Sequence, residues 1–172
     1  NWVVPESIEE DELAGKGAAY FAANNMVRRD GKIVQLPGPK NSLGQVKFDM
    51  RNDHAIYLHD TPAKALFGMP ERHRSHGCVR VDGALDFAAM IAREQGVLDD
   101  FLEARGEEGE SYVKLQSEIP VRLLYQTAFF DGQRVQFRPD IYGWDDEVAY
   151  AIGLQRSPPR EPRRHQRGDI GP

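Results

Sequence analysis

Apolar positions along the chain change period several times, and each change marks an element. Leu85, Ala88, Ala89 and Ala92 recur at i, i+3, i+4 and i+7, a one-sided stripe that predicts an amphipathic helix from Gly83 to about Gln95, N-capped by Asp82. Val46 to Met50 and Ala55 to His59 are short apolar-rich runs on either side of Arg51-Asn52-Asp53, which predicts two strands joined by a turn. Cys78 to Val81 alternates again and predicts a strand just ahead of the helix. Near the start, Pro5 opens an acidic segment that ends at Leu13, before Gly15, the punctuation of a short helix. A second short helix is predicted over Ala18 to Ala23. The run Gln35-Leu-Pro-Gly-Pro-Lys-Asn-Ser-Leu-Gly44 is dense in Pro, Gly and Asn, and predicts an ordered surface loop near whatever the domain binds.

Further on, Tyr112 to Gln116, Val121 to Phe130 and Gln133 to Phe137 read as strands. Asp131-Gly132 between the last two supplies residues suited to the positive φ of a tight hairpin. Arg138 to Leu154 has no clear period, and Tyr142 and Trp144 predict a packed, irregular segment. Together these elements predict an α+β fold, mostly β, with a largely antiparallel sheet and attached helices. No internal repeat is evident.

Length and charge refine this picture. At 172 residues and 40% apolar content, one compact domain over 1–155 is expected, followed by a tail over 156–172. That tail carries five Arg against Glu161 and Asp169, so a local +3 within the formal −5 leaves −8 on the body. An acidic body speaks against nucleic acid as partner, because duplex binding relies on Lys and Arg neutralising phosphates. The basic, Pro-rich tail reads as disordered. There is no run of about 18 apolar residues, so no membrane span is expected. Opening at Asn1-Trp2 rather than Met suggests a processed protein or an excised fragment.

The single cysteine excludes an internal disulfide, which leaves Cys78 as either an inert core thiol or a chemical group. Its surroundings favour chemistry. Ile56-Tyr-Leu-His59-Asp-Thr-Pro62 precedes Ser75-His-Gly-Cys-Val-Arg80, which places two imidazoles, His59 and His76, near one thiol. At an unperturbed pKa near 8.5 only roughly 3% of a thiol is ionised at neutral pH, so a nucleophilic cysteine needs a neighbouring base. An imidazole can raise the reactive fraction roughly 30-fold, worth about 2 kcal/mol. His59 is the better placed, because a base on an adjacent strand meets the sulfur directly, whereas Gly77 puts a turn between His76 and Cys78. Gly77, lacking Cβ, also lets a carbonyl approach the amides of Gly77 and Cys78, a candidate oxyanion hole.

Duller readings stand beside these. A lone cysteine is most often a small buried hydrophobe. His54, His59, His73 and His76 with Cys78 invite zinc, but His76 to Cys78 is too tight for the common structural patterns, so no metal is expected. Asp60 starts the Asp-Thr-Pro turn more plausibly than it orients His59 through its carboxylate. Trp2, Tyr142 and Trp144 read as core rather than as a sugar-stacking platform.

His59, a fifteen-residue spacer and then Ser75-His76-Gly77-Cys78-Val79-Arg80 resemble the signature of the YkuD family of L,D-transpeptidases. Tyr57 to Pro62, the Pro37 to Gly44 loop and Ser75 to Val81 are most similar to the large periplasmic, YcbB-like branch. The similarity runs on through Ile119-Pro-Val-Arg122, Thr127-Ala-Phe129 and Asp140-Ile-Tyr142, from about Trp2 to Tyr150. It implies a β-rich catalytic domain, a YkuD-like sandwich or mixed sheet, that cleaves the L,D bond of a tetrapeptide stem through a thioester on Cys78. An amine of a second stem then forms a 3→3 cross-link. The resemblance makes His59 the base, held by a backbone carbonyl near Asp60, and Tyr57 an aid to the oxyanion beside Gly77. It lines the site with Ser75, His76 and Arg80.

The resemblance also implies no cofactor, stem peptides as donor and acceptor, covalent inhibition by carbapenems, and a place in the periplasm or cell envelope. The family has strands ahead of the point where this chain opens, so the sheet is expected to lack its first strands. Gly15 to Leu36 leaves little room for the branch's substrate-covering insertion. Two alternatives remain: a carboxypeptidase or hydrolase using the same acyl-enzyme, and a non-catalytic cell-wall binding module.

Overall fold

Short strands, each too brief to bury much alone, assemble into three small sheets in a computed structural model that describes residues 1–72, 75 and 77–154. The expected α+β character holds: runs of helices and runs of strands follow one another along the chain, with the strands in sheets of three, three and two. They belong to two compact units, one over Asn1–Glu118 and one that begins at Ile119. The expected tail over 156–172 lies outside the described residues.

The first sheet pairs β1 (Trp2–Val3), β3 (Lys32–Gln35) and β2 (Met26–Arg29), antiparallel throughout, with β3 central. Arg29 pairs with Lys32, so Asp30-Gly31 is a two-residue hairpin loop, and both residues have positive φ (49° and 79°) as a primed turn requires. This hairpin takes up Met26 to Gln35 within Gly15 to Leu36, where the sequence reading placed only a short helix. That helix, α2 (Ala18–Ala23), is present with the expected bounds. The acidic segment is also helical, as α1 (Glu6–Ile8) running on in wider π-helical turns over Glu9–Leu13. Ile8 and Leu13 drop into one core with Trp2, Val4, Met26, Ile33 and Leu43, and Phe21 and Tyr57 pack against it.

Buried polar groups need partners, and this explains the order of the Pro-Gly-Pro loop. Gln35, 2% exposed, donates from Nε2 to the carbonyls of Asn24 (3.1 Å) and Lys40 (2.9 Å), and accepts the Ser42 amide (2.8 Å). Asn41 donates to the Gln35 and Leu36 carbonyls and accepts the Leu43 amide at 2.9 Å. The loop is thereby tied to β3 on one side and delivers Gly44 to the second sheet.

That sheet is β4 (Lys47–Phe48), β5 (Leu58–His59) and β6 (Val79–Arg80). Its strands are much shorter than the runs predicted, because the side chain of Asn52 brackets Met50, His54 and Ile56 and gives their backbone groups partners outside any ladder. β4 and β5 are antiparallel, but β5 and β6 are parallel. Phe48 packs into a second core made by Ala88, Ala92, Val97 and Phe101, whereas Tyr57 packs into the first. The sheet therefore has one face towards each core.

α3 (Ala84–Glu94) matches the predicted amphipathic helix and buries Ala84, Ala88 and Ala92. Its N-cap is Gly83 in the left-handed region (φ 60°), not Asp82, whose carboxylate accepts the Gly83 amide instead. α4 (Leu98–Gly106), absent from the sequence reading, presents a weak apolar period and buries only Phe101. Tyr112 to Gln116 forms no strand. Its alternation is real, but Val113 and Leu115 pack against the helical core rather than entering a ladder.

In the second unit, β7 (Ala128–Phe130) and β8 (Val135–Phe137) form the expected antiparallel hairpin. Phe130 pairs with Val135, so the loop has four residues. Within it only Gly132 has positive φ (97°), while the Asp131 carboxylate accepts the amides of Gln133 and Arg134. Val121 to Thr127 is not strand. The stretch expected to be irregular contains α5 (Trp144–Ala151). Tyr125 meets the rings of Tyr142 and Trp144 edge on, those two rings are tilted by 31°, and the centroids are 5.0–5.3 Å apart. Tyr142 and Trp144 are exposed rather than core as expected.

Candidate active site

The parallel register between β5 and β6 decides which side chains meet. Leu58 pairs with Val79 and His59 with Arg80, and the Val79 amide reaches the Tyr57 carbonyl at 3.0 Å, so Tyr57 lies level with Cys78. Side chains two apart share a face. Tyr57, His59, Cys78 and Arg80 are thus neighbours on one face of the sheet, and Lys47, paired with His59 across β4, joins them.

Ser75 closes the turn that leads into β6. Its hydroxyl donates to the Cys78 carbonyl at 2.8 Å and accepts the Gly77 amide at 3.3 Å. Gly77 has φ +128°, a conformation that side chains disfavour, so glycine is required at this bend. His76 lies outside the described residues. Cys78 is partly buried, and its sulfur faces the Ala55 carbonyl at 3.9 Å and the Tyr57 hydroxyl.

His59 is fully buried, with Nδ1 against the backbone carbonyl of Asp60. That contact makes Nδ1 the protonated nitrogen and leaves Nε2 with the lone pair. Nε2 has no hydrogen-bond partner among the described residues. Burial lowers the pKa of His59, with the Arg80 cation adding to that direction and the Asp60 carbonyl and carboxylate opposing it. A neutral imidazole with a free lone pair in a dry setting is the form a general base needs.

Tyr57 is half-buried between several groups. Its ring stands 5.8 Å from that of His59, edge on, and Lys47 Nζ lies 4.5 Å above it. Burial, then the charge of Cys78 and its hydrogen bond, raise the pKa of Tyr57 above that of an ordinary phenol, so the hydroxyl is a donor at any working pH. The Trp2 indole N–H faces the same oxygen and pulls the other way, although it makes no hydrogen bond of standard geometry.

Asp60 is buried without touching the imidazole through its carboxylate. One oxygen accepts the Gln45 amide at 2.9 Å and the other holds the Lys64 ammonium. Burial alone would raise its pKa, but Lys64 and the amides of Gln45 and Thr61 outweigh it, and the net direction is down. Lys47, Lys64 and Gly44 did not stand out in the sequence. Strand register brings Lys47 to this face, and the turn after His59 brings Lys64 to the Asp60 carboxylate.

A buried neutral imidazole, a thiol on the neighbouring strand and a protonated phenol beside both make an arrangement suited to thiol-based acyl transfer. Comparison with known proteins agrees in class. Residues 1–119 match the family model YkuD, described as the L,D-transpeptidase catalytic domain, and the chain belongs to that family. It is also similar to a Haemophilus influenzae protein named "Putative L,D-transpeptidase", with 35% identity over 125 residues. That match covers 70% of this chain but 24% of the relative, so the chain spans about a quarter of that protein's length. No helix among the described residues is long and apolar enough to cross a membrane.

Proposed function

We propose that the chain carries the catalytic machinery of a peptidoglycan L,D-transpeptidase, with Cys78 as nucleophile and His59 as base. The observation that supports this most is the parallel β5–β6 register, which sets Tyr57, His59, Cys78 and Arg80 on one face. Burial of His59 favours a neutral imidazole, the form able to take up a proton from the attacking thiol.

The sulfur attacks the carbonyl carbon of the L,D bond in a tetrapeptide stem while His59 Nε2 takes the thiol proton. The resulting oxyanion accepts hydrogen bonds from the Cys78 amide and the Tyr57 hydroxyl. Gly77 joins them by releasing its long bond to Ser75. Collapse expels D-alanine, whose amine takes the proton from His59, and leaves a thioester on Cys78. An amine of a second stem attacks that thioester, His59 carries its proton to the departing sulfur, and a 3→3 cross-link results. Arg80, with Ser75 and His76, lines the donor side and favours an anionic stem.

In this reading the catalytic domain, a YkuD-like β-sandwich, runs over 1–155 and is followed by the basic tail. The substrate places it in the periplasm or cell envelope.

Intact mass after incubation with a carbapenem tests the proposal. A single adduct is expected, absent in Cys78→Ala and strongly slowed in His59→Ala. Persistence of the adduct in Cys78→Ala, or its absence from folded wild type, refutes the acyl-enzyme. Products from a tetrapeptide donor, with and without an acceptor amine, separate transpeptidation from hydrolysis by water.

A further inference from the structure

Asp60 reaches towards His59 with its backbone and away from it with its side chain. The carbonyl holds His59 Nδ1, while the amide donates to the Val46 carbonyl at 2.8 Å. The carboxylate, on a residue only 4% exposed, is gripped from two directions. From the end of the Pro-Gly-Pro loop, the Gln45 amide binds one oxygen at 2.9 Å. From the turn that follows His59, Lys64 binds the other.

Gly44 completes the grip. It sits at φ +62°, and a Cβ there would come within 2.6 Å of Asp60 Cβ and closer still to the carboxylate. The loop and the carboxylate are therefore pressed together with no room for a side chain. The Thr61 amide, in the same peptide plane as the Asp60 carbonyl, also binds the carboxylate, so turning that plane would break this bond.

We infer that the buried Asp60 carboxylate, clamped by Gly44-Gln45 and Lys64, is a positioning device for His59: it fixes the peptide plane whose carbonyl sets the tautomer and aim of the imidazole. The inference rests on the reading of His59 as the base of Cys78. In a Ser-His-Asp triad a carboxylate contacts the imidazole directly. Here the carboxylate acts through its own main chain, and the contact to the ring is a neutral carbonyl. The arrangement keeps the negative charge on Lys64, so it supports orientation of the ring without strongly favouring imidazolium.

The clamp also gives the Pro37 to Gly44 loop a part in catalysis without any contact to the reacting atoms. A shift of the loop is transmitted through Gly44 and Gln45 to Asp60, and from there to the ring.

The test uses the full chain with Lys64→Gln, Lys64→Arg, Gly44→Ala and Asp60→Asn beside wild type and Cys78→Ala. Lys64 is half-exposed, so its replacement opens no cavity and is the variant most certain to fold. Three quantities are read: the nitrogen spectrum of the His59 ring, the rate of carbapenem adduct formation across pH, and the thermal midpoint. Lys64→Gln is expected to turn a single Nδ1–H tautomer into a mixture and to slow the adduct about 10-fold, as small misplacements of catalytic groups do. Gly44→Ala and Asp60→Asn follow the same pattern, and Lys64→Arg recovers most of the rate.

An unchanged His59 spectrum and adduct rate in Lys64→Gln overturn the inference, and so does a lowered thermal midpoint with spectrum and rate intact. If Cys78→Ala still forms the adduct, the acyl-enzyme reading fails, while the ring spectrum still tests the clamp.

Discussion

Removing one oxygen, in Tyr57→Phe, separates stabilisation of the oxyanion from every other role of this side chain. The ring stays, and with it the packing against the first core, the Lys47 ammonium 4.5 Å above the ring and the edge contact with His59. What is lost is a hydroxyl beside Cys78, kept protonated first by burial and then by the charge and hydrogen bond of the sulfur. An oxyanion donor is worth roughly 100-fold or more in rate, which corresponds to about 2.7 kcal/mol. The same hydroxyl contributes only about 1 kcal/mol to stability, the net value of one hydrogen bond, so the thermal midpoint should fall by a few degrees at most. The assay is time-resolved intact mass of the carbapenem adduct, with alkylation by a small haloacetamide as control. Alkylation passes through no oxyanion and should barely change. Adduct formation within a few-fold of wild type refutes the role of Tyr57, and an equal loss in both reactions means that the hydroxyl acts on the thiol instead.

The acid limb of adduct formation should lie below pH 6.5, because burial first, with Arg80, holds the His59 pKa under its ordinary value. A fall that begins above pH 6.5 contradicts this. The same two depressed groups give stability a defined slope. The contribution of His59 is complete above pH 6.5 and lost as pH drops below it, and that of Asp60 is complete above about pH 3.9 and lost below it. Unfolding free energy from urea titrations should therefore decrease on acidification in both windows, and a flat profile from pH 7 to 5 counts against the His59 assignment. Phe101→Ala, in the helical core, should cost about 3 kcal/mol or more in urea unfolding. A loss under about 1 kcal/mol would mean that α4 contributes little to that core.

The chemical part of the site was legible because it resides in residue types at fixed spacing. The bonds by which Ser75 closes the turn are seen only in the structure, whereas a thiol, an upstream imidazole and a glycine that must bend announce themselves without coordinates. So did the stripe of Leu85, Ala88, Ala89 and Ala92, since helical periodicity is a local property. The Asp30-Gly31 hairpin carries a local signal too, a dipeptide suited to a primed turn between two four-residue strands. Tyr112 to Gln116 misled in the opposite direction, as alternation reports which side chains are buried and not whether the backbone finds a partner strand.

The sequence alone named the candidate residues of the site, and it determined the helix that follows them and the glycine that the bend at residue 77 requires, because these depend on near neighbours. Tertiary structure decided that β5 and β6 run parallel, that Tyr57 stands level with Cys78, that Lys47 lies over Tyr57, and that Gly44 presses on Asp60. Strand direction, register and close approach join segments 10 to 21 residues apart, and no local pattern encodes the distance between them.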